Sequence, residues 1–105
     1  MKVIYKIDYG DNQEGKDNRL EYTFRCPGCG NCHGFRTSPG SPRWTWDGNE
    51  ELPTISPSIL VTGGGVGGHE DSKGCCHMFI KAGKIQYLSD CTHALTGKTV
   101  DMEAL

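Results

Sequence analysis

The sequence predicts an all-β or β-rich α+β fold made of small antiparallel hairpins. Short runs rich in β-branched and aromatic residues recur along the chain, and polar or glycine-rich turns separate them. No window of about 12 residues keeps apolar side chains at the spacing of an amphipathic helix. We therefore expect strands to supply nearly all of the regular structure.

The first half of the chain predicts a hairpin followed by two shorter strands. Residues 3–9 alternate apolar and polar positions, residues 11–18 form a polar turn, and residues 20–26 form the returning strand. Residues 34–37 and 43–47 are short strand candidates on either side of a Ser-Pro-Gly-Ser-Pro loop.

The second half predicts a further strand and the clearest hairpin. Residues 55–62 are β-branched, and Pro57 within them favours an edge strand or a strand that begins after the proline. Residues 63–74 contain six glycines and predict a flexible loop. Residues 76–90 form the hairpin, with Ala-Gly at its tip, and residues 99–105 add a short strand or a helical turn.

Composition predicts one domain, residues 1–105, that needs a covalent or metal staple. Only 35% of the residues are hydrophobic and 15 are glycines, so a packed core alone supplies little stability. Six cysteines are present. We find no signal peptide and no membrane-spanning run, which predicts a cytoplasmic location where thiols stay reduced and bind metal rather than form disulfides.

The charge balance gives no sign of a nucleic-acid partner. Eleven basic and 13 acidic residues give a net charge of -2, and the signs alternate without a basic block. Binding to nucleic acid is therefore not expected.

The strongest local motif is Cys26-Pro27-Gly28-Cys29-Gly30. A Cys-x-x-Cys turn with proline and glycine inside aims two thiolates at one point, which is typical of a zinc knuckle. The alternative is a thioredoxin-like redox pair, but that pair opens a helix, and no helical pattern follows Cys29. A zinc-ribbon-like fold is the better interpretation.

A structural zinc needs four ligands, and the second hairpin can provide the other two. A two-residue turn at Ala82-Gly83 pairs Ile80 with Ile85 and places Cys76 on the same face as Cys91. The backbones of these diagonal neighbours then lie about 7–8 Å apart. The predicted zinc ligands are Cys26, Cys29, Cys76 and Cys91.

Histidines are the alternative ligands. His33 follows Cys29 at a plausible ligand spacing, and His77 and His93 flank the hairpin cysteines, although the predicted register turns His77 away from Cys76. Cys32 and Cys75 are spare thiols in this scheme.

Two further segments are unusual. Trp44 and Trp46 share a strand face, as core filling or as a stacking platform. Ser58 is a conceivable nucleophile, but no sequence context places a base beside it.

Several blocks in order resemble one family. They are Phe24-Arg25-Cys26-Pro27-Gly28-Cys29, His33, Trp44-Thr45-Trp46-Asp47-Gly48, Pro53-Thr54-Ile55-Ser56-Pro57-Ser58-Ile59-Leu60, Cys76-His77-Met78-Phe79-Ile80, Gly83-Lys84-Ile85 and Asp90-Cys91-Thr92-His93-Ala94-Leu95. The chain resembles small zinc-binding proteins of unknown function from phages and prophages, which are often mislabelled ammonia monooxygenase. The resemblance implies a bacterial host cell and adds His33 and His77 to the four cysteines as metal-type positions.

The predicted function is that of a zinc-binding phage-type accessory protein that binds a host or phage protein. The alternative is a small zinc-dependent hydrolase, which requires an open position on the metal and a nearby acid or base. Its candidates for that acid or base are His33, His77, Asp90 and Glu70.

Overall fold

A computed structural model shows the fold and describes residues 1–8, 19–40, 42–64, 66–67 and 73–105. These residues form eight strands and no helix, so the all-β prediction is confirmed. The strands are β1 (Tyr5–Lys6), β2 (Tyr22–Cys26), β3 (Asn31–Phe35), β4 (Thr45–Trp46), β5 (Ile55–Thr62), β6 (Cys75–Lys81), β7 (Lys84–Tyr87) and β8 (Thr99–Asp101). The predicted turn at 11–18 and Glu70 lie outside the described residues. No helix in the described part of the chain is long and apolar enough to cross a membrane.

The first sheet has three antiparallel strands in the order β1-β2-β3. The predicted pairing of the N-terminal strand with residues 20–26 is confirmed, with Tyr5 opposite Thr23 and Lys6 opposite Tyr22. The Cys-x-x-Cys turn forms the tip of the β2–β3 hairpin, where Cys26 pairs with Asn31 and the Gly30 N–H donates to the Cys26 carbonyl at 2.9 Å. Because the turn reverses the chain at once, β3 starts at Asn31, earlier than the predicted strand at 34–37.

The second sheet has five antiparallel strands in the order β4-β5-β6-β7-β8. The β6–β7 hairpin has the predicted register, with Lys81 opposite Lys84 and Ile80 opposite Ile85. Its two turn residues both have positive φ, 49° at Ala82 and 78° at Gly83, which matches the right-handed twist of the flanking strands.

An irregular bulge interrupts β5 where it pairs with β6. Ile55 pairs with Ile80 and Ile59 with Met78, so the three β5 residues 56–58 lie opposite the single β6 residue Phe79. The bulge accommodates Pro57, which cannot donate to a regular ladder. The expectation of an edge strand or a later start was wrong, because β5 begins before Pro57 and lies between β4 and β6.

The core forms between the two sheets. In β6, Cys76, Met78 and Ile80 face inward, whereas Phe79 faces solvent. Both tryptophans are half-buried against this core, so they serve in packing. The buried side chains include Ile4, Phe24, Cys26, Phe35, Ile59, Cys76, Met78, Ile80, Ile85 and Tyr87.

Candidate active site and metal-binding cluster

Three cysteines and one histidine meet where the tip of the first sheet contacts the second. The ligand atoms of Cys26, Cys29, Cys76 and His93 all lie within 4.8 Å of one another. The Cys26 and Cys76 sulfurs are 3.8 Å apart, and the Cys76 sulfur is 3.4 Å from His93 Nε2. A tetrahedral ion with metal–sulfur bonds of about 2.3 Å holds its ligands about 3.8 Å apart, so this cluster can hold a metal ion.

The pKa shifts of the residues in the cluster also favour the binding of a cation. The hydrogen bond from the Cys76 thiol lowers the pKa of Cys26 to about 3 even though burial acts in the opposite direction. The pKa of Cys76 is raised, first by that same bond and then by burial, and burial raises the pKa of Cys29. One thiolate therefore opposes ionisation of the other two, and a bound cation removes that opposition. Burial lowers the pKa of His93, which favours the neutral, metal-binding imidazole.

Backbone N–H groups and a phenol surround the sulfurs. The Gly67 N–H donates to the Cys29 sulfur at 3.1 Å, and the Tyr87 hydroxyl lies 3.1 Å from the Cys26 sulfur. A Cβ at Gly28 would lie 2.3 Å from the nearest atom of the His93 ring, so only glycine fits there. Residues 63–74 were predicted to be a flexible loop, yet Gly67 within them contacts Cys29, a member of the cluster.

The structure brings together three of the four predicted ligands and leaves Cys91 outside. The Cys91 sulfur accepts from the His77 N–H at 3.2 Å and donates to the His77 carbonyl at 3.1 Å. The expected diagonal required regular pairing to continue toward Ser89, but the last β6–β7 pair is Met78 with Tyr87. Beyond it the chain turns, and His93 becomes the fourth member of the cluster.

The alternative ligands also lie outside the cluster. His33 is buried, with its ring centroid 6.1 Å from that of Phe24, and it helps to lower the pKa of Cys26. His77 faces away from the cluster on the opposite side of β6. Cys32 is exposed and Cys75 is half-buried, and none of the six cysteines forms a disulfide.

On the outer face of the second sheet, His77 joins a serine and an aspartate. His77 Nε2 lies 3.0 Å from Ser58 Oγ, and His77 Nδ1 lies 3.0 Å from Asp90 Oδ2. This is the serine–histidine–carboxylate arrangement in which a base activates a hydroxyl nucleophile and a carboxylate orients the base. The bulge in β5 presents Ser58, whose carbonyl accepts from Trp44 Nε1 at 3.1 Å.

The hydrogen bond to Asp90 assigns the imidazole tautomer. When Nδ1–H donates to the carboxylate, Nε2 carries the lone pair that accepts the proton of Ser58. The side chains of His77 and Asp90 are 23% and 53% exposed, so solvent screens the charge of Asp90. Asp90 therefore contributes mainly by orienting the imidazole ring of His77.

The predicted register of the second hairpin already places Asp90 beside His77 as a candidate partner, but nothing in the sequence connects Ser58 to either of them. The pairing that joins them sets Leu60 opposite His77, and it depends on the β5–β6 bulge. The available signal was strand alternation, because His77 must face away from Cys76. It indicates the face that His77 occupies and gives no indication of the strand beside it.

A family model described as "Bacterial ubiquitination-like system serine protease (BubE)" matches residues 6–88. The chain belongs to this family. No curated protein and no solved structure matches.

The predicted function was wrong. The family is one of serine proteases, so neither the zinc-binding phage-type accessory protein nor the zinc-dependent hydrolase describes it. The error arose because the cysteine motif is local in sequence and prominent, whereas Ser58, His77 and Asp90 are polar residues without a local motif. The resemblance to phage proteins stays a prediction.

Proposed function

We propose that this chain is a serine protease of a bacterial ubiquitination-like system, with Ser58 as its nucleophile. The observation that carries the proposal is the pair of 3.0 Å contacts linking Ser58 to His77 and His77 to Asp90. Membership of a serine protease family supports the same chemistry independently of these distances.

The reaction follows from the positions of the three groups. Ser58 Oγ attacks the carbonyl carbon of the scissile peptide while His77 Nε2 takes the hydroxyl proton. His77 then gives that proton to the leaving amine nitrogen as the C–N bond breaks, and an ester of Ser58 remains. A water attacks the ester, His77 takes one of its protons, and the proton returns to Ser58 Oγ as the acid product leaves.

We assign zinc to Cys26, Cys29, Cys76 and His93, in a structural role. Three thiolates and an imidazole are a zinc-type donor set, and four protein ligands fill a tetrahedral shell. When bound, the ion supplies a cross-link between the β2–β3 hairpin, β6 and the segment after β7. The triad lies beside this cross-link, because Cys76 precedes His77 and Asp90 lies three residues before His93.

The nucleophile is tested with a serine-directed probe. Diisopropyl fluorophosphate should modify the wild-type protein once, at Ser58, as read by peptide mass spectrometry. Ser58→Ala should abolish the modification, whereas Ser56→Ala, two residues away on the exposed side of β5, should preserve it. Modification of Ser58→Ala at the wild-type rate would refute the assignment of the nucleophile.

Proteolysis tests the remaining assignments on the protein components of such a system. Ser58→Ala or His77→Ala should lower kcat by about 10⁵–10⁶-fold. Asp90→Asn should cost about 10²–10⁴-fold, because its half-exposed carboxylate orients the ring more than it stabilises charge. Cleavage that persists in Ser58→Ala would exclude the proposed reaction.

A further inference from the structure

Two exposed apolar side chains flank the catalytic pair. Leu60 of β5 pairs directly with His77 of β6. Phe79 lies two residues after His77 on β6, so it shares the outer face with His77 and Leu60. Ser58 belongs to the same face because its Oγ lies 3.0 Å from His77 Nε2. Leu60 therefore neighbours Ser58 along β5 and His77 across the strands, and Phe79 neighbours His77 along β6.

The exposure of these two residues is unusual for this molecule. Leu60 is 55% exposed and Phe79 is 44% exposed. Among the described residues, the other exposed large apolar side chains are Met1, Leu20, Leu52 and Leu105, and none of these lies within a strand. The outward positions that follow Phe79 along the hairpin are polar, namely Lys81, Lys84 and Gln86. The apolar surface is therefore confined to the part of the sheet that holds the nucleophile and the base.

The spacing fits an extended peptide. Leu60 and Phe79 are diagonal neighbours on paired strands, whose backbones lie about 7–8 Å apart. Alternate side chains of an extended substrate are about 6.8 Å apart, which is close to that distance. A carbonyl carbon placed at Ser58 Oγ therefore sets substrate side chains within two residues of the scissile bond over Leu60 on one side and Phe79 on the other.

Resting on the proposed function, we propose that Leu60 and Phe79 are specificity-determining residues that select an extended peptide segment with apolar side chains on both sides of the scissile bond. Their solvent exposure is the state before substrate binds, and the substrate's apolar side chains cover them. Charged side chains at these substrate positions are disfavoured, because they would lose water without gaining a partner.

The test is cleavage of a defined mixture of synthetic decapeptides, followed by mass spectrometry, with kcat/KM obtained for individual peptides. Wild-type protein should cleave between apolar residues. Leu60→Ala and Phe79→Ala should each lower kcat/KM for such peptides by about 10-fold, mainly through KM, because the loss of a few methylenes from an apolar contact has this size. Leu60→Lys should shift the preference toward acidic residues on one side of the cleaved bond.

Two controls separate this proposal from the protease assignment. Leu52→Ala removes an equally exposed leucine that packs beside Gly83 at the far end of the β6–β7 hairpin, and its cleavage profile should equal that of the wild type. Diisopropyl fluorophosphate should modify Ser58 equally in every Leu60 and Phe79 variant. Equal modification with an unchanged cleavage profile would overturn the specificity proposal alone. Failure of the reagent to modify the wild-type protein would overturn the assignment of Ser58 as the nucleophile of a serine protease.

Discussion

Removal of the metal should destabilise the whole domain. The four members of the cluster come from the β2–β3 tip, from β6 and from the segment after β7, so an ion bound there would join the two sheets. Chelation, or Cys29→Ser, opens the loop of nearly 50 residues between Cys29 and Cys76. It also leaves buried thiols that oppose one another's ionisation.

The size of the effect follows from that loop. Closing a loop of this length is worth about 4 kcal/mol in chain entropy. A domain of this size has a total stability of about 5–15 kcal/mol. For about 100 residues, each kcal/mol shifts the Tm by about 4–8 °C, so we expect the Tm to fall by about 15–30 °C.

Thermal unfolding with two probes measures this effect. Circular dichroism should give the lower Tm, and the fluorescence of the half-buried Trp44 and Trp46 should report the same cooperative transition. Elemental analysis should find about one zinc per chain before chelation. Cys32→Ser is the matched control, because its exposed thiol lies outside the cluster and its loss should leave the Tm unchanged.

Reconstitution separates a structural metal from one that takes part in the reaction. If the ion only holds the fold, Co²⁺ or Cd²⁺ should restore both the Tm and the modification of Ser58 to nearly the zinc-loaded levels. The loop-closure argument would be refuted if the chelated protein kept its Tm within about 5 °C of the zinc-loaded value and still showed well-dispersed amide signals by NMR.

Two further predictions concern Cys91 and Glu21. Cys91→Ala should lower kcat/KM by about 10-fold and alter its pH profile, because the two hydrogen bonds of the Cys91 sulfur to the His77 backbone are lost. Cys91→Ser should retain both hydrogen bonds and most of the activity. Equal losses in both variants would contradict a positioning role for Cys91. Burial acts to raise the pKa of Glu21, but hydrogen bonds from Ser38 and Thr37 prevail and lower it from 4.5 to about 2. Its stabilising contribution should therefore be complete above about pH 4.5 and disappear as the pH falls toward 2. Glu21→Gln should flatten that part of the pH–stability curve in urea titrations, and an unchanged curve would show that these bonds contribute nothing.

The strand pattern of the chain was accessible from local sequence. The alternation around Ala82-Gly83 predicted the register of the β6–β7 hairpin, because a two-residue turn fixes which residues face each other. The final strand was one of two options left open for residues 99–105, and β8 resolves them. The position of Pro57 was not predictable in the same way, since a proline in a strand indicates an edge or a bulge equally well, and only the pairing with β6 distinguishes them.

Within the metal-binding cluster of three cysteines and one histidine, the positions of the cysteines were predictable from turn geometry and strand alternation, and the position of His93 was not. Cys26 and Cys29 belong to one tight turn, and Cys76 faces inward because of strand alternation. The exchange of Cys91 for His93 depends on where the β7 ladder ends. The ladder ends there because the His77 N–H, which would continue it by donating to the Leu88 carbonyl, donates instead to the Cys91 sulfur at 3.2 Å, and the Leu88 carbonyl accepts from the Cys91 N–H at 3.3 Å.

The sequence alone determined that strands supply the regular structure and that Cys26, Cys29 and Cys76 converge, because strand alternation and tight turns are properties of neighbouring residues. The tertiary structure alone decided that Ser58, His77 and Asp90 form one site. They come from β5, β6 and the segment after β7, and strand pairing between residues distant in sequence sets the distances between them. Hydroxyl, imidazole and carboxylate groups are common on protein surfaces, and they become a catalytic arrangement only when packing places them about 3 Å apart.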